Sequence, residues 1–229
     1  MRLPNHIGVI PDGNRRWAEA KGLPKEKGYE MGLDPGLALF RLCRQVGIKE
    51  LTYYGFTTDN NKRPVGQRRA FTAACIQAVE MLSKEHASLL VVGNAHSPAF
   101  PKELLPFTTR KTFGKGGIKV NFLVNYGWEW DLNHLKGADQ NAECGMRNAE
   151  YSEIRNPKSA IQNHLGSRGV SRVDLVIRWG GRRRLSGFPP VQCVYADFYV
   201  LDEYWPDFKP EHFFRALRWY QEQDVTLGG

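Results

Sequence analysis

Cysteine is scarce: the 229 residues hold four, at 43, 75, 144 and 193. No two form a C-x-x-C pair, which argues against a zinc ribbon or a thioredoxin-type motif. They read as reduced thiols of a cytosolic protein, with Cys43 and Cys75 in the core. No apolar run reaches the roughly 18 residues of a spanning helix, so no membrane span is expected, although peripheral attachment stays open. The segment MRLPNHIGVIPDGN has no apolar stretch of signal-peptide length. Neither G-x-x-x-x-G-K-[ST] nor G-x-G-x-x-G occurs, which counts against nucleotide phosphoryl transfer and dinucleotide binding. Composition is otherwise that of a folded chain, 41% apolar and 24% charged. Lys plus Arg is 32 against 24 acidic residues, a net charge of +8. Such a balance fits an anionic partner: nucleic acid, lipid or a phosphorylated small molecule. No repeat and no linker breaks the chain, so residues 1–229 read as one domain.

Strand and helix signals alternate. HIGVI (6–10), ELTYYGFT (50–57), SLLVVG (88–93), IKVNFLV (118–124), VDLVIR (173–178) and VYADFYV (194–200) read as strands. Between them fall helical patterns near 15–20, 36–46, 65–85, 101–112, 157–166 and 210–221. Asn14 or Asp12 is placed to cap the first helix. Residues 136–156 are polar and read as a loop or weak helix. The pattern predicts an α/β domain around a mainly parallel sheet of about six strands, flanked by helices.

Ligands of such sheets bind beyond the carboxyl ends of the strands. Four unusual segments fall there: PDGNRRWA (11–18), FTTDNNKRP (56–64), NYGWEWD (125–131) and RWGGRRRLSGF (178–188). PDGNRRWA opens a helix, where backbone N–H groups favour a phosphate. Gly13 allows close approach, and Arg15 and Arg16 add charge-assisted bonds. Asp12 is out of place in an anion pocket unless a cation such as Mg²⁺ lies between it and the phosphate. RWGGRRRLSGF carries Arg178, Arg182, Arg183 and Arg184 within seven residues, plus the Ser186 hydroxyl. Arg63 adds a cation at a third strand end. Asp197, a carboxylate in an apolar strand, is either a satisfied structural acid or a second cation ligand. Two arginine-rich pockets point to two phosphorylated substrates.

These stretches resemble the cis-prenyltransferase family, the undecaprenyl and dehydrodolichyl diphosphate synthases. The similar segments are HIGVIPDGNRRWA (6–18), GIKELTYYGFTTDNNKRP (47–64), IKVNFLVNYG (118–127) and VDLVIRWGGRRRLS through YAD to WPDF (173–208). They span nearly the whole chain in the family's order. The resemblance implies a dimeric α/β fold with a hydrophobic tunnel. It implies Mg²⁺-dependent condensation of an allylic prenyl diphosphate with isopentenyl diphosphate, releasing pyrophosphate. Asp12 would then be central to metal-assisted catalysis, with Asn14 and Arg16 beside it. The allylic diphosphate would lie on Gly13, Asn14, Arg15, Arg16, Lys25 and Arg63, and the acceptor diphosphate on Arg178, Arg184 and Ser186. Asp12 and Asp197 would hold the metal. Phe71, Ala74, Ala78 and Phe122 are candidates to line the tunnel, or ordinary core.

The chain departs from the family pattern at particular places. Tyr29 stands where His is usual, Asn61 where Trp is, and Gln67 where Glu is. Trp128 and Glu129 replace the Gly-Arg of N-Y-G-G-R. Trp179 replaces Thr, Arg182 and Arg183 replace Glu and His, and DVTLGG lacks an R-x-G. Because the departures gather at the acceptor side, three alternatives accompany head-to-tail elongation. One is non-head-to-tail coupling with a second prenyl diphosphate. Another is a non-catalytic subunit of a heterodimer. A nucleic-acid-binding protein is disfavoured, since the arginines cluster at strand ends and not along a helix or sheet face. A cytoplasmic homodimer is the expected assembly, with peripheral membrane contact open.

Overall fold

The computed structural model describes residues 2–142 and 161–223. Seven strands, β1 (His6–Ile10), β2 (Glu50–Tyr54), β3 (Ala87–Val92), β4 (Lys111–Phe113), β5 (Ile118–Leu123), β6 (Leu175–Arg178) and β7 (Asp197–Val200), form one sheet. Their order is β4-β3-β5-β2-β1-β6-β7. Every neighbouring pair is parallel except β3–β4. Six helices accompany them: α1 (Asn14–Ala20), α2 (Lys27–Glu30), α3 (Leu33–Val46), α4 (Val65–Ser83), α5 (Trp128–Ala142) and α6 (Pro210–Glu222). β1 is interior. The chain lays β2, β3, β4 and β5 on one side of it and β6 and β7 on the other, so the topological switch point falls at the carboxyl end of β1.

Side chains alternate across the sheet. Ile7, Val9, Leu51, Tyr53, Leu175 and Ile177 face α3, α4 and α6, where Phe40, Val79 and Phe213 meet them. Ile10, Tyr54, Leu123 and Val176 face the other side, against Val173 and Phe188. Covering both faces explains why the strands read as continuous apolar runs. Cys43 and Cys75 are buried in the core, as expected, and Cys193 is also a buried free thiol. Among the described residues no helix is long and apolar enough to cross a membrane.

Two expectations need correction, and a third is narrowed. The helix expected over 101–112 is a 3-10 turn, Lys102–Phe107, followed by β4, which pairs antiparallel with β3. At three residues, β4 is too short to show a two-residue period. Of the loop or weak helix expected over 136–156, residues 136–142 are helical, the end of α5 (Trp128–Ala142), and 143–156 lie outside the described residues. The hold of α5 on the fold comes from Asp131, not from an apolar stripe. Neither Asn14 nor Asp12 caps α1; Gly13, at φ 101°, takes that place. Cys144, the start of the helix expected over 157–166, and the DVTLGG segment lie outside the described residues; residues 161–163 are helical.

Asp131 is fully buried. It accepts from the Tyr126 hydroxyl at 2.6 Å and from the Ser167 N–H and Oγ at 2.7 Å each. It thereby ties the end of β5 and α5 to the segment that feeds β6. Asp131→Ala leaves three buried donors unpaired, each worth about 1–3 kcal/mol. A loss of about 3 kcal/mol or more is expected in urea unfolding; an unchanged midpoint would show that the anchor contributes nothing.

Candidate active site

The chain leaves β1 through Pro11, and Asp12 and Gly13 form the turn into α1. The Gly13 N–H donates to Asp12 Oδ1 at 2.6 Å. A Cβ on Gly13 would lie 2.6 Å from the Tyr204 ring, and its positive φ also demands glycine. The turn is buttressed from the C-terminal segment: the Trp205 N–H donates to the Asp12 carbonyl at 3.0 Å. Asn14 donates to the Pro11 carbonyl at 2.7 Å.

Arg178, the last residue of β6, is 4% exposed. Its Nη2 donates to Asp12 Oδ2 at 2.8 Å, and its Nη1 to Ser186 Oγ at 2.9 Å and to the Arg184 carbonyl. One guanidinium therefore joins the β1 turn to the loop after β6. Arg16 comes within 3.5 Å of the same Asp12 oxygen and lies 5.2 Å over the Tyr204 ring. A Cβ on Gly180 would strike Arg16 Nη2 at 2.6 Å, so glycine there lets the loop close onto Asp12 and Arg16. Burial alone would raise the Asp12 carboxyl. The hydrogen bond and charge of Arg178, the Gly13 N–H and Arg16 outweigh it and hold the carboxyl below the ordinary aspartate range.

These groups line a cleft of about 720 Å³ at the carboxyl edge of the sheet. All four strand-end segments contribute to it. Gly13, Asn14, Arg15, Arg16, Lys25, Arg63, Arg178, Arg184 and Ser186 all line it, and Asp12 meets both Arg16 and Arg178 there. Arg15, Arg16, Lys25, Arg63, Arg178, Arg182 and Arg184 are seven cations, against the four carboxylates Asp12, Glu19, Asp59 and Glu129. Lys25 is paired with Glu19 at 2.8 Å, and Arg15 reaches Gln67 Oε1 at 3.4 Å. Arg63 donates to the Tyr29 hydroxyl at 3.0 Å. The cation excess suits a polyanion.

Asp197 does not join them. It opens β7 and aligns with Leu175 and Ile7, at the amino end of the sheet. Its neighbour is Arg2, 3.6 Å away. Within this chain Asp12 and Asp197 do not face one cation. Among the described residues no three acidic, His or Cys side chains gather as a metal cluster. Asp12, a hard oxygen donor inside an anion cleft, fits a Mg²⁺ ion that takes most of its ligands from substrate phosphates.

Sequence reasoning had assigned no role to the aromatic part of the site. Tyr54, Tyr126 and Trp128 form a wall of the cleft, with the Tyr54 hydroxyl donating to the Ser186 carbonyl at 2.7 Å. Tyr204 and Trp205 support the β1 turn; W-P-D-F was the signal available for them. Below the cleft lies a second, apolar cavity of about 80 Å³. Phe71, Ala74, Ala78 and Phe122 all line it. Asn14, Tyr29 and Phe71 border both spaces.

Comparison with known proteins agrees with this geometry. The family described as "Putative undecaprenyl diphosphate synthase" matches residues 10–228. The chain is 33% identical to an isoprenyl transferase of Thermus thermophilus, over 99% of this chain and 89% of that protein. It is 32% identical to a ditrans,polycis-undecaprenyl-diphosphate synthase of Haemophilus influenzae, over 99% and 96%. A crystal structure of lavandulyl diphosphate synthase from Lavandula x intermedia, in complex with dimethylallyl diphosphate, superposes with a TM-score of 0.83. That likeness covers 99% of this chain and 98% of the other at 23% identity, and so bears on the fold. A cation-lined cleft above an apolar cavity, in a chain matched along almost its whole length, places this protein in the undecaprenyl diphosphate synthase family, as a prenyltransferase.

Proposed function

We propose that the chain is a Mg²⁺-dependent cis-prenyltransferase that condenses an allylic diphosphate with isopentenyl diphosphate, head to tail. The observation that supports this reading is the Arg178 bridge, which holds Asp12 in a cation-lined cleft that borders an apolar cavity. The allylic C1–O bond breaks and its electron pair leaves on pyrophosphate. The terminal alkene carbon of the acceptor bonds to C1, and the proton lost from acceptor C2 passes to the released pyrophosphate. Arg15, Arg16, Lys25 and Arg63 take up charge on the leaving group, while Arg178, Arg184 and Ser186 hold the acceptor diphosphate. Asn14 lies where polar cleft meets apolar cavity and orients the allylic head. Mg²⁺, held by Asp12 and diphosphate oxygens, would neutralise further charge on the leaving group. The apolar cavity keeps water from the allylic cation. We also infer a cytoplasmic homodimer, with membrane contact at most peripheral; light scattering of the purified protein tests the assembly.

A second reading is non-head-to-tail coupling of two allylic diphosphates. It is favoured by Trp128 and Arg182, which face the acceptor side of the cleft. A Mg²⁺-dependent assay with labelled isopentenyl diphosphate and a series of allylic diphosphates separates the two. Five-carbon increments with Z double bonds support elongation; branched products formed without isopentenyl diphosphate support the second reading.

Asp12→Ala is expected to reduce kcat by roughly 100-fold or more while diphosphate binding persists. Full turnover in that variant would remove Asp12 from the chemistry. The acidic limb of the kcat/KM profile of the wild type should lie below the ordinary aspartate range, because Asp12 stays ionised there. Arg178→Met removes the main group favouring ionisation and leaves the burial that opposes it, so the limb should move to higher pH. Chelating the metal with EDTA should abolish turnover, and Mg²⁺ should restore it; undiminished activity in EDTA refutes the metal assignment.

A further inference from the structure

The apolar cavity is walled by one face of α4, and the sizes along that face are uneven. Phe71, Ala74, Cys75, Ala78, Met81 and Leu82 reach the cavity, at the three- and four-residue steps of a single helical face. Phe71 marks the mouth. It stacks on Tyr29 with ring centroids 4.6 Å apart, and Tyr29 is itself held by Arg63. Ala74, Cys75 and Ala78 are small and hollow out the middle. Met81 and Leu82, the last lining residues along α4, are large again.

The opposite walls are firm. Tyr53 stacks on Phe122 at 5.2 Å and donates its hydroxyl to the Gly36 carbonyl at 2.6 Å. A Cβ on Gly36 would meet only the edge of Trp205, at 4.0 Å, so the absent side chain leaves room where α3 faces the slot.

The length of the slot bounds the chain it can hold. From Phe71 to Met81 the helix advances ten residues, about 15 Å, and the end side chains occupy part of that. With carbon–carbon bonds of about 1.5 Å, an extended five-carbon prenyl unit spans roughly 5 Å. Two to three units therefore reach the floor. The volume is tighter still: the cavity is about 80 Å³, whereas an apolar cavity of about 150 Å³ takes one benzene ring. A five-carbon tail enters most easily. Longer tails require the flexible Met81 to give way.

We propose that this enzyme is a short-chain synthase. Its slot takes the tail of a five- or ten-carbon allylic diphosphate, and Met81 and Leu82 stop the product at about fifteen carbons. The inference rests on the prenyl-transfer reading above. Each cycle is the condensation already written, with one carbon–carbon bond formed and one pyrophosphate and one proton released.

The test uses the full chain and its Leu82→Ala, Met81→Ala and Ala78→Phe variants. Each is given labelled isopentenyl diphosphate with dimethylallyl, geranyl, farnesyl or geranylgeranyl diphosphate, and products are sized by mass after dephosphorylation. The wild type is expected to make ten- and fifteen-carbon products and to use the two longer primers at least about tenfold less well. Leu82→Ala should lengthen the product by one or two units, and Ala78→Phe should shorten it. Wild-type products mainly longer than about four units, or a length unchanged in both Leu82→Ala and Met81→Ala, would overturn the proposal. Should Leu82→Ala fail to fold, Met81→Ala carries the lengthening arm. Failure of the parent reading looks different: no primer is extended by any protein. Competitive binding of the thiolodiphosphate analogues then decides the slot on its own. Floor variants should favour the farnesyl over the dimethylallyl analogue by about tenfold relative to wild type, and an unchanged ratio sinks the size limit.

Discussion

Arg178 donates to Asp12 from a position almost closed to water, and most of the site depends on that pair. A buried guanidinium without a partner carries a large desolvation penalty, and its Nε is already unpaired. Asp12 offsets this cost on one side, and Ser186 Oγ and the Arg184 carbonyl on the other. The partners sit 166 and 6–8 residues from Arg178 in sequence. The pair can therefore form only when β1 and β6 are adjacent and in register, with Ile10 beside Arg178. Sheet order thus sets the electrostatics. The same contact keeps Asp12 anionic in a cleft where seven cations outnumber four carboxylates. Gly180 completes the arrangement, since any side chain there would displace Arg16 and the Asp12 backbone.

The division between polar cleft and apolar slot follows from the helices that surround the first turn. α1 has only two turns, so most of the attraction for an anion comes from its arginines and not from a long dipole. α2 packs so closely on α1 that a Cβ on Gly28 would overlap the Asn14 carbonyl. That contact brings Tyr29 to the border between the two spaces. There its ring faces Phe71 and its hydroxyl faces Arg63. One side chain thereby serves a wet wall and a dry one, as an amphipathic ring does well.

Much of this was legible in the residues. Apolar runs punctuated by glycine and proline marked six of the seven strands. The coincidence of four charged or aromatic segments with strand ends marked the cleft. β4 escaped because three residues show no period. α5 escaped because its anchor is a buried carboxylate, which looks in sequence like one more exposed acid. Asp197 was misjudged for a related reason. An apolar strand shows which residues are buried, but the end of the sheet at which a residue lies depends on register. VYADFYV pairs only from Asp197 onward, which puts that carboxylate at the amino edge. The aromatic wall of Tyr54, Tyr126 and Trp128 comes from three separate points in the chain, and no spacing rule brings them together.

The departures from the family pattern are of two kinds. Some are absorbed by a local partner. Tyr29 is bonded to Arg63, Gln67 to Arg15, and Asn61 donates to Asn125 at 3.2 Å. Trp179, fully buried, packs edge-on against Trp205 at 4.7 Å, far from any exposed surface. These changes alter how the frame is filled while Arg15 and Arg63 still line the cleft. Trp128, Glu129 and Arg182 differ in kind, because they are exposed and line the cleft directly. Trp128 stands over Gly187, where a Cβ would approach its ring at 3.0 Å, next to the Tyr54 hydroxyl. An indole beside Gly187 gives that part of the cleft an exposed apolar surface next to its cations.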